Sequence, residues 1–300
     1  MASEREIVGR LLARTGIAND DAALIGKLAL TTDVSFASSH SPAGLSYYNM
    51  GWRSAASNIS DLAAMGAKPI AFLLAQGLPE KIAAGASEQI SRGILDSCKF
   101  HKAKYLGGDT KKAKEITLAG FALGKISGKP LLRSNARAGD IICISGEIGN
   151  AFCGFHALTH NKTKNTPKKL LNAFLKPTAR IAEGIAASSS AKRAACMDVS
   201  DGLLFTCSEI ARLSKVRMDV ESMSIPISNE ARKYCAENGI DAGAVIDWGE
   251  DYALVFSMGQ KDFAKICKKA KLVCIGYASK GSGLHVDGEK YAGTGYDAFL

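Results

Sequence analysis

Apolar positions recur along this chain with two periods, and the period switches at glycines and prolines. Residues 4–15 place Ile7, Leu11 and Leu12 on one face at helical spacing, which predicts an opening helix. Residues 27–32 (KLALTT) read as a strand that runs into Asp33. Residues 45–65 return to helical spacing, rich in small side chains, with Ala55, Ile59 and Leu62 sharing a face. Gly66 and then Pro69 supply the stop signal. A buried strand is predicted at 70–76 and a helix at 87–100. A short strand at 104–106 ends at Gly107-Gly108-Asp109, and another strand covers 116–126.

The pattern breaks at residues 127–140, where Gly128, Pro130 and Gly139 accompany few bulky apolar residues. A domain boundary is expected there, dividing the chain into residues 1–132 and 133–300. The second half predicts a strand at 141–145, a helix at 150–160, a polar loop at 161–168 and a strand at 194–197 leading into Asp198. Ser200 is placed to cap the following helix. Asp287-Gly288, between 284–286 and 289–291, is a hairpin signal. Strands and helices alternate in both halves, so an α/β (α+β) architecture is expected.

Composition narrows the class. The chain has 300 residues, 47% of them hydrophobic and 22% charged, enough for a sizeable core and not a disordered chain. The net charge is +9, a balance that attracts polyanions. The basic segments at 99–114 and 162–169 lack interleaved aromatics, so a nucleic-acid partner is not expected. The eight cysteines form no C-x-x-C pair and read as reduced core residues of a cytosolic protein. Residues 1–10 are charged and lack an apolar signal core, and no apolar run is long enough to span a bilayer. A cytoplasmic location without membrane association is expected.

Several chemistries are excluded by absent motifs. There is no G-x-x-x-x-G-K-[ST], no G-x-G-x-x-G after a strand, no H-E-x-x-H and no G-x-S-x-G. Cys153, His156 and His160 have transition-metal spacing, yet they lack a fourth ligand, so a helix end that carries two histidines is expected rather than a zinc site. Aspartates are more informative. Asp20 and Asp21 lie in NDDAA, Asp33 in TTD, Asp61 in NISDLAAMGA, Asp109 in GGDT, Asp198 and Asp201 in MDVSDGL, and Glu250 and Asp251 in WGEDY. Singly, each is an ordinary turn or cap residue. Together, carboxylates at strand ends beside glycines suit Mg²⁺ bridged to phosphate, with backbone N–H groups close enough to share the load.

The same segments carry a family resemblance. DDAA (20–23), TTD (31–33), NISDLAAMGAKP (58–69), GGDT (107–110), RSNARAGD (133–140), MDVSDGL (197–203) and GEDY (249–252) resemble thiamine-monophosphate kinase, in order and over nearly the whole chain. KPTARI (176–181) and GYDAF (295–299) fit as well. The resemblance implies a two-domain aminoimidazole ribonucleotide synthetase-like fold, with mixed sheets flanked by helices. It implies a homodimer and transfer of the γ-phosphoryl group of ATP to thiamine monophosphate. It assigns Mg²⁺ to Asp21, Thr31, Thr32, Asp33, Asp61, Asp109, Asp198 and Asp201, and ATP contacts to Gly108, Asp109, Arg133 and Ser200. It assigns substrate contacts to His40, Glu250 and Tyr296. Asp33, Asp61, Asp109 and Arg133 form the implied catalytic set.

This chain departs from the family at Asn19 and Asn135, where glycine is usual, and at Trp248, where the first glycine of GGEDY is usual. The loop after Asp33 lacks the usual glycine and aromatic around the histidine. A substrate phosphate is largely dianionic at neutral pH, so direct in-line transfer without a phosphoenzyme is expected. Two alternatives stay open at this point: another ATP-dependent enzyme of the same superfamily, and a nucleotide-binding protein without turnover.

Overall fold

The computed structural model describes residues 4–241, 243–293 and 295. The first half contains α1 (Glu4–Thr15), β1 (Ala23–Ile25), β2 (Leu28–Phe36), α2 (Ala37–His40), α3 (Tyr47–Ala64), β3 (Ala67–Leu78), α4 (Ala86–Phe100), β4 (Lys104–Lys112) and β5 (Thr117–Ile126). Its strands form a mixed sheet in the order β1-β2-β5-β3-β4, in which only β3 and β4 run parallel. Helix α3 starts at Ser46, whose hydroxyl accepts a hydrogen bond from the Asn49 N–H at 3.2 Å. A cap of this kind is worth about 1 kcal/mol. Ala55, Ile59 and Leu62 are fully buried, as their spacing predicts.

The second half contains β6 (Ile141–Ser145), α5 (Asn150–Thr159), α6 (Lys168–Leu175), α7 (Ile181–Ser190), β7 (Ala194–Asp198), α8 (Leu203–Ser214), β8 (Arg217–Val220), α9 (Asn229–Asn238), β9 (Leu254–Met258), α10 (Gln260–Ile266), β10 (Leu272–Ser279), β11 (Gly283–Val286) and β12 (Glu289–Lys290). The strands form a second mixed sheet, β12-β11-β8-β10-β6-β9-β7. Strands β6, β7 and β9 are buried along their whole length and read as continuous apolar runs for that reason. The predicted hairpin turn is present: Asp287 and Gly288 both take positive φ, at 50° and 89°, as a two-residue hairpin turn requires.

Three expectations change. Asp33 does not end its strand; β2 continues to Phe36, because Val34, Ser35 and Phe36 all pair with β5. Asp109 lies inside β4, because pairing with β3 resumes after an irregularity and runs to Lys112. Ser200 does not cap α8; Gly202 occupies that position, and the Asp247 carboxylate accepts the Phe205 N–H at 3.2 Å. All eight cysteines are free, and six are buried. No helix among the described residues is long and apolar enough to cross a membrane.

Helix α3 joins the two halves. Its first half donates from Asn49, Trp52 and Arg53 to the carbonyls of Leu175, Pro177 and Phe174 at 2.8, 2.9 and 2.7 Å. Those carbonyls lie at or just beyond the C-terminal end of α6, where a helix leaves acceptors unpaired. Farther along, Ser60 donates to Asp198 of β7 at 2.6 Å. On the sheet side, Gly120 of β5 lets α3 approach: a Cβ there would stand 2.3 Å from the Asn58 amide.

Candidate active site

The segment just before β1, the C-terminal half of α3 and the end of β7 converge on three carboxylates. Asp21, Asp61 and Asp198 each offer an oxygen, and these lie within 4.8 Å of one another. Each carboxylate is held by a donor. Thr31 Oγ1 donates to Asp61 at 2.6 Å, and Ser60 Oγ donates to Asp198 at 2.6 Å. Arg133 binds Asp21 in a fork, at 2.9 and 3.0 Å, while its backbone N–H donates to Asp20 at 2.7 Å. Burial, followed by the charges of Asp198, Asp21 and Asp33, pushes the Asp61 carboxyl well above the usual range. Burial and the Asp21 charge push Asp198 up to about 7. One arginine does not offset three enclosed carboxylates, so the donor set favours an added cation.

A regular match between helix and strand organises the rest. Arg53, Ser57 and Asp61 are spaced by four on α3 and share a face. Thr31, Asp33 and Ser35 are spaced by two on β2 and share a face. Four helical residues rise about 6 Å and two strand residues about 6.8 Å, so the rows run in step. Asp61 meets Thr31, Ser57 meets Asp33, and Arg53 shares a cleft with Ser35. Asp33 is raised by burial first, but it stands on the open wall of the cleft, where solvent tempers the shift.

The cleft beyond Asp33 is also lined by His40, Arg53, Glu250 and Tyr252. His40 ends α2, with Nδ1 2.7 Å from Ser39 Oγ. Glu250 forms an ion pair with Arg53 and reaches the cleft from a turn whose Gly249, Glu250 and Tyr252 all have positive φ. The turn is fastened to the loop after β7: Glu250 N–H donates to the Ser200 carbonyl at 2.8 Å, and Tyr252 N–H to that of Val199 at 3.1 Å.

Two family models match the chain: AIR synthase related protein, N-terminal domain, over residues 19–126, and AIR synthase related protein, C-terminal domain, over residues 137–288. The thiamine-monophosphate kinase of Pyrococcus horikoshii is 35% identical over 77% of this chain and 72% of that protein. That of Aquifex aeolicus is 31% identical over 91% of this chain and 88% of that protein. This chain belongs to the thiamine-monophosphate kinase family. The solved structure of AaThiL complexed with AMPPCP and TMP superposes with a TM-score of 0.92 at 29% identity, over 99% of this chain and 97% of that one.

The fold brings together Asp21, Asp61, Asp198, Thr31, Asp33 and Arg133 from the residues that resemble the thiamine-monophosphate kinase pattern. Asp201 adds to the negative field at Asp198. Thr32 lies on the opposite face of β2 from Thr31 and Asp33, as strand alternation requires. Gly108 and Asp109 stand apart on the edge strand β4, three strand spacings from β2, roughly 14 Å. There Asp109 is exposed and bonded to Lys111 at 3.0 Å, which lowers its pKa. Tyr296 lies outside the described residues.

The cysteine–histidine spacing gathers no metal site among the described residues. His156 bonds Tyr234 at 2.8 Å and stacks on His160, while Cys153 faces Cys235 at 3.8 Å. Trp248, the family departure, is half-buried against Phe155 and Phe152. Asn135 reaches the Ala194 carbonyl at 3.3 Å. Sequence reasoning missed Arg53, Ser57, Ser60 and Tyr252. A signal for the first two was present: an arginine and a serine eight and four positions before Asp61, in a helix of small residues.

Proposed function

We propose that this chain transfers the γ-phosphoryl group of ATP to thiamine monophosphate, giving thiamine diphosphate, by direct in-line displacement. The observation that carries the reading is the cluster of Asp21, Asp61 and Asp198, with Asp33 close enough to act on Asp61 and itself lining a cleft with His40 and Glu250. AaThiL, which shares the fold at 29% identity, is complexed with AMPPCP and TMP.

The donor set fits Mg²⁺: hard carboxylate oxygens, close together, with excess negative charge. Asp21, Asp61 and Asp198 would hold it, with Asp33 beside them. The bound ion supplies charge neutralisation where two polyanions must approach. The chain's own groups prepare that place. Thr31 and Ser60 fix the orientation of Asp61 and Asp198, and the Arg133 fork fixes Asp21. The acceptor phosphate is already dianionic near neutral pH, so no side chain has to remove a proton. His40 and Glu250 bound the side where the organic part of the acceptor lies.

The reading extends to assembly. Leu30, Leu73, Leu106 and Phe121 are exposed on the face of the first sheet opposite α3, a surface suited to a second copy in a homodimer. Gly108 and Asp109 on edge strand β4 then serve ATP. The division at residues 132 and 133 belongs to the same proposal, and the two sheets fall on either side of it. So does a cytoplasmic location. The test is an assay with ATP, Mg²⁺ and thiamine monophosphate. Stoichiometric ADP and thiamine diphosphate are expected, and neither product would overturn the reading.

A further inference from the structure

Glu250 and Arg53 come from different halves of the chain and meet in the cleft. The Arg53 side chain is only 10% exposed, and its surroundings engage both terminal nitrogens and the planar face of the guanidinium. Nη1 donates to the Phe174 carbonyl at 2.7 Å, the planar group lies 4.3 Å over the Phe174 ring, and Nη2 meets Glu250 Oε2. A lysine could not make all three contacts at once. Arg53 is thereby locked to the end of α6 before it meets the acid.

The Glu250 backbone is strained, with φ of 59°, between Gly249 at 98° and Tyr252 at 48° after Asp251. Its neighbour Asp251 turns the other way and accepts the N–H groups of Gly149 and Ala151 at 2.7 and 3.0 Å, at the start of α5. The turn therefore sends consecutive acids in opposite directions, one to a helix end and one to the cleft. With Oε2 taken by Arg53, Oε1 has no hydrogen-bond donor among the described residues and remains able to accept one.

We propose that Arg53 is a positioning residue for the acceptor substrate: it holds Glu250 by one oxygen so that the other receives an N–H donor from the aminopyrimidine of thiamine monophosphate. This rests on the activity proposed above. Arg53 also neutralises the acid, so Glu250 acts through direction more than through net charge. A neutral glutamine at 250 offers a carbonyl acceptor but loses the charged anchor that aims it.

The experiment compares Arg53→Gln, Arg53→Lys, Glu250→Gln and the double variant Arg53→Gln/Glu250→Gln. Each is assayed for KM of thiamine monophosphate, KM of ATP, kcat and thermal midpoint. Wild-type protein without turnover would overturn the activity reading, and this inference with it, before any variant is compared. Given turnover, Arg53→Gln is expected to raise KM for thiamine monophosphate at least tenfold with KM for ATP within twofold. Arg53→Lys should recover part of the loss. The double variant should be no more than twofold worse than Glu250→Gln alone, because both act through one carboxylate. Unchanged KM for thiamine monophosphate, parallel rises in both KM values, or multiplied losses in the double variant would each overturn the assignment. If Arg53→Gln does not fold, Arg53→Lys decides alone: a rise confined to thiamine monophosphate supports it, and any other pattern overturns it.

Discussion

Asp61 and Asp109 are the same side chain, each set among small residues and glycines in the sequence, and the fold treats them in opposite ways. Asp61 lies on α3 against Thr31, ringed by Asp21, Asp33 and Asp198, and its carboxyl is raised by burial and by like charge. Asp109 lies on an edge strand, exposed, with Lys111 and the Thr110 N–H holding it ionised. The first is a site that lacks positive charge. The second is complete as it stands, and gains a role only if something is brought to the edge. The difference teaches that an aspartate's chemistry here is set by what packs on it, not by the motif around it.

The sharpest way to break the comparison is Asp61→Asn. Turnover should fall at least a thousandfold, because the cluster loses its central acid. The thermal midpoint should hold or rise, since a neutral amide replaces an acid whose ionised form burial and its charged neighbours disfavour. Steady-state kinetics and a melting curve without added metal check both. Activity within tenfold of wild type would remove Asp61 from the site.

Next in size is Arg133→Met. Arg133 is the arginine that forks onto Asp21, so its loss leaves a buried carboxylate unpaired. Breaking a buried pair from one side costs about 3–5 kcal/mol. A urea titration should show that loss without Mg²⁺ and a smaller one with it. Equal losses in both conditions would mean that no cation reaches Asp21.

The pattern of strands and helices was legible because it depends on local periodicity. The rows Ala55-Ile59-Leu62 and Ile141–Ser145 each identify their element without help from elsewhere. The extent of β2 was not legible. A charged Asp33 looks like a strand end, and only pairing with β5 across Gly120 carries the strand on to Phe36. Asp21, Asp61 and Asp198 could be named from motifs, and their shared metal role came from the family resemblance; local periodicity alone does not give their convergence, since it depends on α3 lying between the halves. Arg53 was not singled out from the sequence for a similar reason. Its partners, Phe174 and Glu250, are 121 and 197 residues away in sequence.

A smaller effect separates buried acids from exposed ones by pH. Burial raises Asp251 to about 7 even though two backbone N–H groups oppose the shift. The folded chain therefore binds this proton more tightly than the unfolded chain. Stability contributed by the protonated form is full below about pH 4 and is lost as pH rises toward 7. The ceiling, three pKa units, is about 4 kcal/mol. Urea midpoints at pH 4.5 and 7.5 should differ in that direction, and Asp251→Asn should shrink the difference. An unchanged difference would assign the slope to other groups.

Asp109→Asn should have the smallest effect on the isolated chain. The side chain is exposed and its ion pair with Lys111 is screened by water and salt, so the thermal midpoint should not move. If β4 meets ATP only once a second copy covers the apolar face of the first sheet, the variant should nonetheless weaken ATP. KM for ATP should rise several-fold while KM for thiamine monophosphate stays within twofold. Phe121→Asp, which places a charge on that exposed apolar face, should produce the same ATP defect together with a monomer in sedimentation. A Phe121→Asp monomer with an unaltered KM for ATP would separate the edge strand from the nucleotide. It would leave Asp109 as a solvated charge on the edge strand and confine the chemistry to the α3–β2 seam.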